Sequence, residues 1–129
     1  KNNGLALKNV PKEYIDKELC IEAVKSNGLA LQYVPEEHID KEISIEAVKE
    51  NGLALGSPIP EEYIDREMCW EAVRNNILSL CYVPKKYIDK YIYREVIINK
   101  KHALTYIIPR EYIDKDILIE MLDDINNNF

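Results

Sequence analysis

A three-residue motif, Tyr-Ile-Asp or in one copy His-Ile-Asp, recurs five times along this chain at nearly constant spacing. Successive copies are 24 or 25 residues apart, and a proline stands three residues before each copy. A period of roughly 20 to 50 residues is typical of repeat proteins, in which each unit buries its apolar face against its neighbours. The motif therefore constrains the chain to a stack of five similar units. The copies begin at Tyr14, His38, Tyr63, Tyr87 and Tyr112.

The aspartate of each motif predicts the start of a long helix, whose positions are counted from this aspartate as zero. In the first unit, the side chain of Asp16 can accept hydrogen bonds from free backbone amides of the first turn, and Glu18 complements the positive end of the helix dipole. Positions 3, 4, 7 and 8 are apolar or small and share one helical face, while position 5 is apolar on a second face. Two apolar faces indicate a helix held between two neighbours. In the first unit these positions hold Leu19, Cys20, Ala23, Val24 and Ile21.

The rest of each unit begins with Asn-Gly-Leu-Ala-Leu and ends with an apolar residue and a proline, as at residues 27–35. Asn27 can cap a helix and Pro35 prevents one from continuing, so the stretch predicts a short helix of about two turns before a loop. Ile77 replaces the glycine in the fourth unit, which indicates that this turn does not require a left-handed backbone. A rival interpretation, one helix with an extended return strand, is disfavoured because proline and charged residues are poor strand formers.

These patterns predict an all-α fold, an α-solenoid of five two-helix repeats of about 24 residues each. The repeats are expected to form a right-handed superhelical stack, whose curvature the sequence does not determine. Residues 1–129 are predicted to form one helical-repeat domain. Because the chain starts at Lys1, we expect a fragment of a longer protein, in which the exposed side of the first unit is open to a homotypic contact. The predicted units are residues 3–26, 27–50, 51–75, 76–99 and 100–125.

Composition and charge limit the classes of partner. A net charge of −6 disfavours nucleic acid and anionic membranes, and no apolar run approaches the roughly 18 residues of a membrane-spanning helix. The three cysteines contain no Cys-x-x-Cys pair. Cys20 and Cys69 occupy equivalent positions two repeats apart, which is too far for a disulfide. Reduced, packed thiols predict a cytoplasmic protein, or one in the host cytoplasm if the source is a virus or a secreted effector.

The string NGLALQYVPEEHIDKEISIEAVK, at residues 27–49, resembles the helical repeats of a domain-of-unknown-function family found in bacterial and giant-virus proteins. The resemblance covers nearly the whole chain and is most faithful in the first three units. It implies a helical array and transfers no catalytic residue. The fourth and fifth units depart from it at Ile77, Val96 and Met121. The residues that carry it, with their equivalents in other units, are Gly28, Leu29, Ala30, Leu31, Asp40, Ala47 and Val48.

A glutamate recurs at position 6 of every predicted long helix. Stacking would align these side chains as an acidic ladder, facing a basic partner or a cation. The structural interpretation is a solvated helix flank, in which each glutamate pairs with a cation three residues on, such as Lys25, Lys49 or Arg74. We favour that interpretation because a residue identical in every unit usually serves the unit itself. The ladder comprises Glu22, Glu46, Glu71, Glu95 and Glu120.

The aromatic residue two positions before each capping aspartate also has two interpretations. It can belong to a recognition stripe, or it can pack its ring on the neighbouring unit while its hydroxyl stays in water. We favour packing. His38 takes the place of tyrosine in this column, and His102 has no histidine or cysteine at ligand spacing, so neither predicts a metal site.

The fourth unit departs most from the pattern and carries the predicted partner-binding surface. Arg94 stands at position 5, where three of the other units have isoleucine and one has tryptophan. Basic residues interleaved with tyrosines can bind phosphate, nucleic acid or an acidic peptide. The alternative is drift of the repeat sequence on a solvated face. The predicted surface comprises Lys85, Lys86, Tyr91, Arg94, Lys100 and Lys101.

The sequence contains no Gly-rich phosphate loop, no Gly-x-Ser-x-Gly and no His-Glu-x-x-His motif. We therefore predict that the chain is not an enzyme and uses no cofactor. The predicted function is a non-catalytic scaffold that binds a protein or peptide on its repeat surface. The alternative is a passive spacer in a larger protein whose activity lies in another domain.

Overall fold

The structure is a computed structural model that describes residues 4–99, 110–116, 118–119 and 122. All regular secondary structure in these residues is helical, and they contain no strand. The helices follow the repeat of the sequence, which confirms the predicted all-α helical repeat. Within the same residues, no helix is long and apolar enough to cross a membrane.

The chain divides into two compact units, Lys1–Val83 and Pro84–Phe129. The first unit contains three long helices and the second contains the fourth. That the whole chain forms one domain stays a prediction. Each of these long helices has ten residues, and they are α1 (Lys17–Ser26), α2 (Lys41–Glu50), α3 (Arg66–Asn75) and α4 (Lys90–Asn99).

An aspartate side chain caps the start of each long helix, as the sequence predicted. Asp16 Oδ1 accepts a hydrogen bond from the amide of Leu19 at 2.9 Å, and Asp40 Oδ1 accepts one from the amide of Ile43 at the same distance. The bond satisfies a backbone donor that has no partner within the helix. The same cap joins Asp65 to Met68 at 2.9 Å and Asp89 to Ile92 at 3.1 Å.

The short helices lie where the sequence predicts them, and they are 3₁₀ helices, a type that the sequence analysis did not specify. The amide of Val34, for example, donates to the carbonyl of Leu31 at 3.1 Å, three residues back. The segments have only five or six residues, which is too few for a stable α-helix but suits a 3₁₀ helix. Asn27 caps its segment as predicted, accepting from the amide of Leu29 at 3.0 Å. The segments are Gly4–Asn9, Gly28–Tyr33, Gly52–Gly56 and Ile77–Tyr82.

A three-residue 3₁₀ turn follows each proline, where the sequence predicted only a loop. In the second repeat, the amide of His38 donates to the carbonyl of Pro35 at 2.9 Å. The proline ring fixes its own φ, here −57°, and so presets the turn. In the first four repeats, both residues after the proline are exposed. The turns span Lys12–Tyr14, Glu36–His38, Glu61–Tyr63, Lys85–Tyr87 and Arg110–Tyr112.

Gly28 and Gly52 let each short helix touch the long helix that follows it. No described residue has a positive φ, so these glycines are not needed for a left-handed backbone, as Ile77 indicated. They are needed for space. A Cβ atom at Gly28 would lie 2.3 Å from the carbonyl oxygen of Ala47, and one at Gly52 would lie 2.2 Å from that of Ala72.

The core of the first compact unit lies between α1, α2, α3 and the short helices packed beside them. Leu31, Ile43 and Met68 are fully buried there. Cys20 and Cys69 are free and also fully buried, and this burial raises the pKa of each thiol to about 11. Both are therefore packed, protonated thiols, as predicted.

In the second compact unit, α4 buries Ile92 and Tyr93. The ring of Tyr93 packs on that of Tyr112 from the fifth repeat, with centroids 5.4 Å apart. This is the packing predicted for the aromatic column, although Tyr14 at the start of the column is 70% exposed. Most of the predicted fifth unit, residues 100–125, lies outside the described residues.

Candidate interaction site

The surface predicted in the fourth repeat is divided between two elements. Lys85 and Lys86 are exposed on the turn that follows the proline, and Lys86 Nζ lies 5.2 Å from the ring centre of Tyr87. Tyr91 and Arg94 lie on α4 and line a cavity of about 120 Å³, which neither Lys85 nor Lys86 lines. The structure thus brings together two of the predicted residues. The other two, Lys100 and Lys101, lie outside the described residues.

The cavity beside Tyr91 has mixed charge rather than a basic lining. Lys90 and Asp114 also line it, and Lys90 Nζ lies 3.0 Å from Asp114 Oδ2. The hydrogen bond to Asp114 raises the pKa of Lys90. Asp116 adds a second carboxylate to the wall. Phosphate groups are recognised by an excess of positive charge, which this mixed lining lacks.

A larger, apolar cleft lies where the loops of the second and third repeats meet, within the first compact unit. Its volume is about 490 Å³. Val34, Ile39 and Ile59 are 6–8% exposed and form an apolar wall. The carboxylate-bearing Glu36 is the one charged residue among those that line it. The remaining lining residues are Pro58 and Pro60.

At the junction that holds the cleft, the third repeat lacks a tyrosine that its neighbours have. In the second repeat, the ring of Tyr33 lies 5.8 Å from Lys8 Nζ of the first repeat. In the fourth repeat, the ring of Tyr82 packs over Gly56 of the third repeat. A Cβ atom built on Gly56 would lie 2.6 Å from Cζ of this ring. Both rings therefore cover the same position of the preceding repeat. The third repeat has Ser57 and Pro58 at this point, so no ring covers the corresponding junction.

Sequence reasoning missed this cleft, although the sequence carries a signal for it. The proline follows the capping asparagine by eight positions in the second and fourth repeats and by nine in the third. The loop of the third repeat reads Gly-Ser-Pro-Ile-Pro at residues 56–60. An added residue together with a second proline in the third repeat indicates a local change of the loop surface. In this loop Pro58 and Ile59 line the cleft.

The two turns beside the cleft carry acidic residues, of which Glu36 lines the cleft itself. Glu36 and Glu37 follow the proline of the second repeat, and Glu61 and Glu62 follow that of the third. All four side chains are exposed on 3₁₀ turns. The first repeat has Lys12 and Glu13 at this place, and the fourth has two lysines. The only two repeats with paired glutamates are therefore the two that form the cleft.

A second feature that the sequence analysis missed is an ion pair between successive repeats. The lysine at helix position 1 reaches the capping aspartate of the next repeat, as when Lys17 Nζ lies 2.8 Å from Asp40 Oδ2. Lys41 pairs with Asp65 in the same way, and this hydrogen bond is the main cause that lowers the pKa of Asp65. The sequence signal is a basic residue directly after every capping aspartate, where the helix dipole disfavours a cation. These pairs join neighbouring repeats.

The glutamate ladder follows the structural interpretation in the third repeat. Glu71 Oε2 lies 3.7 Å from Arg74 Nη1, which is the predicted pairing three residues apart. Glu22 is exposed and Glu46 is half-buried, while Glu120 lies outside the described residues. Among the residues that the structure describes, no group of three or more histidine, cysteine, aspartate or glutamate side chains is placed to hold a metal ion.

Comparison with known proteins gives a match to one family. The model of a family described as a domain of unknown function (DUF4116) matches three overlapping stretches, residues 1–39, 16–64 and 40–88. The first stretch spans about one and a half repeats and the other two span two repeats each, and together they cover residues 1–88, more than half of the chain. No curated protein and no solved structure matches the chain.

Proposed function

We propose that this chain, which belongs to the family of the domain of unknown function DUF4116, is a non-catalytic scaffold that binds a peptide or protein segment on its loop surface. The observation that supports this proposal is the apolar cleft with an acidic rim between the second and third repeats. The protonated thiols of Cys20 and Cys69 support a reducing, cytoplasmic setting for it.

The size of the cleft suits an apolar side chain from a partner. Its volume of about 490 Å³ falls within the roughly 300–1,000 Å³ that small-ligand sites occupy. Val34, Ile39 and Ile59 line it with apolar atoms, and a partner side chain that enters the cleft is itself removed from water, which is favourable. A leucine or an aromatic residue of the partner is the expected anchor.

The rim selects the residues that flank this anchor. Glu36, Glu37, Glu61 and Glu62 place four exposed carboxylates on the two turns that form the cleft. Complementary charge speeds association and excludes partners of like charge. The proposed ligand is therefore a segment with lysine or arginine on either side of an apolar anchor.

Binding of a fluorescein-labelled peptide, with two leucines flanked by lysines, tests the proposal. We expect its fluorescence anisotropy to rise on titration with the chain. A matched peptide with serines in place of the leucines should bind at least about tenfold more weakly, because it cannot fill the cleft. A third peptide with glutamates in place of the lysines should also lose affinity. Equal binding of the leucine and serine peptides would contradict an apolar anchor.

Two variants of the chain locate the binding to the cleft. Pro58→Tyr returns a ring to the junction that lacks one and should reduce affinity for the leucine peptide about tenfold. Glu36→Lys reverses a rim charge and should weaken binding by a smaller factor. Glu13→Lys is the matched control, since it makes the same charge change on the equivalent turn of the first repeat and should leave affinity unchanged. Equal loss from Glu13→Lys would show a general charge effect.

The fourth repeat stays a second proposed contact surface. A labelled acidic peptide with an aromatic residue is its probe, because Lys85 and Lys86 are exposed and Tyr91 is 51% exposed. Reversing the charges of Lys85, Lys86 and Arg94 together should abolish capture of this peptide, and capture that persists would reject the surface. If neither peptide binds the chain, the passive-spacer alternative is favoured over the scaffold.

A further inference from the structure

Ser57 differs from the other serines of the chain in its backbone and its exposure. Ser44 and Ser79 are fully buried, and Ser26 is the last residue of α1. Ser57 is half-buried and has an extended backbone, with φ of −73° and ψ of 166°. The single threonine of the chain, Thr105, lies outside the described residues. In the part of the chain that the structure describes, Ser57 is therefore the one aliphatic hydroxyl residue outside a helix.

The residues around Ser57 hold it in this extended conformation. The ring of Pro58 disfavours helical backbone at the residue before it. The amide of Ser57 donates to the carbonyl of Ala54 at 2.9 Å, and the carbonyl of Ser57 accepts from the amide of Ile59 at 2.7 Å. Gly56 and Pro58, on either side of the serine, are exposed. The loop therefore presents an extended serine segment at its surface.

The proline after Ser57 also gives the segment a chemical pattern that an enzyme can recognise. Proline-directed protein kinases modify a serine or threonine that proline follows. Proline has no backbone N–H, so a kinase can set an apolar surface against it, where another residue would leave a buried donor without a partner. In this sequence, Ser57 is the only serine or threonine directly before a proline. The sequence pattern and the extended backbone thus coincide at one residue.

We infer that Ser57 is a phosphorylation site for a proline-directed kinase, and that its phosphate strengthens peptide binding in the neighbouring cleft. The second part rests on the function proposed above. In the reaction, Ser57 Oγ forms a bond to the γ-phosphorus of ATP, and the bond from this phosphorus to the oxygen shared with the β-phosphate breaks. ADP leaves, and the hydroxyl proton passes to the catalytic aspartate of the kinase.

The phosphate adds negative charge beside the cleft. A phosphoserine carries a charge of about −1.5 to −2 at pH 7. Ser57 directly precedes Pro58, which lines the cleft, and the exposed Glu61 and Glu62 follow on the next turn. The phosphate and these carboxylates repel one another, and the lysines of a bound peptide reduce that repulsion. The modified chain should therefore bind a lysine-flanked peptide more tightly than the unmodified chain does.

Incubation of the full chain with ATP and a mitogen-activated protein kinase, which is proline-directed, tests the site. Mass spectrometry of the digested product should locate one phosphate per chain, on Ser57. Pro58→Ala restores a backbone N–H and should react at least about tenfold more slowly. Ser57→Ala should accept no phosphate, whereas Ser26→Ala, the matched control, should react like the parent chain. A folded chain that accepts no phosphate, or accepts it on Ser26, overturns the inference.

Fluorescence anisotropy with the lysine-flanked leucine peptide then compares the phosphorylated and unmodified chains. We expect phosphorylation of Ser57 to lower the Kd about fivefold, and added salt should shrink this difference because it screens exposed charges. The glutamate-flanked peptide is the control and should gain nothing. Equal Kd values of the two forms for the lysine peptide would reject the regulatory effect and leave the peptide site standing. If neither form binds, the proposed function and its regulation are both wrong, while phosphate incorporation alone decides whether Ser57 is modified.

Discussion

Gly52→Ala should destabilise the folded chain by about 3 kcal/mol, although it adds a single methyl group. The new Cβ would lie 2.2 Å from the carbonyl oxygen of Ala72 and 2.8 Å from Ser79 Oγ. The first of these atoms belongs to the backbone of α3 and cannot rotate away, so the short helix and α3 must separate. Separation also weakens the hydrogen bond from the Gly52 amide to Asn75 Oδ1, which is 2.6 Å long.

Urea unfolding followed by fluorescence measures this loss near its site, since Trp70, the sole tryptophan, lies on α3. Gly56→Ala is the matched control. Its Cβ would also meet atoms at 2.6 Å, but these belong to the ring of Tyr82, which is 47% exposed and can turn into solvent. We expect the control to lose less than about 1 kcal/mol. Equal losses from both variants would show that the approach to the α3 backbone is not the cause.

Leu31→Ala should cost about 3 kcal/mol, because Leu31 is among the largest fully buried side chains and its removal leaves a cavity. The side chain belongs to the short 3₁₀ helix that packs against both α1 and α2. Its loss should therefore weaken two long helices together. Circular dichroism during urea unfolding should show a lower midpoint for the helical signal.

Leu78→Ala provides the comparison for this second variant. It makes the same chemical change in a 3₁₀ helix of the same type, but Leu78 is 57% exposed. Because little apolar contact is lost, its unfolding midpoint should stay close to that of the parent chain. A similar shift in both variants would mean that burial of the leucine does not decide the effect.

The helix starts were predictable because they depend on local chemistry. Asp40 precedes the first turn of a helix, whose backbone amides have no partner within the helix, so its side chain is expected to cap them. The structure confirms this cap, because the amide of Ile43 donates to Asp40 Oδ1 at 2.9 Å. The buried faces were equally predictable, since positions 3, 4, 7 and 8 form one surface of any α-helix. Cys20 and Ile43 lie where that rule places them.

Long-range partners and helix type were not predictable in the same way. Lys41 contacts Asp65 only because two repeats are stacked, and the helix dipole alone would have argued against a lysine at that position. The Gly28–Tyr33 segment has the same residue spacing whether its carbonyls bond three or four residues on. Its short length before Pro35 decides for 3₁₀ geometry.

The cleft was hidden for another reason. The apolar residues that line it, such as Val34 and Ile59, match their counterparts in the other repeats, so they read as ordinary core positions. What differs is the missing ring, and a missing side chain shows up only when neighbouring repeats are superposed in register. The fourth repeat differs from the others in its charges, whereas the third repeat differs in the tyrosine that it lacks.

The lysine-to-aspartate pair between repeats also bears on how such a gene can change. Both partners hold fixed places in the unit, with Lys17 reaching Asp40 and Lys41 reaching Asp65. Loss or duplication of a DNA segment that encodes one whole unit would therefore rejoin a lysine to an aspartate in the same register. Unequal recombination can therefore shorten or lengthen the array while each new junction keeps its lysine–aspartate ion pair. The number of units can vary, whereas the residues that join them stay the same.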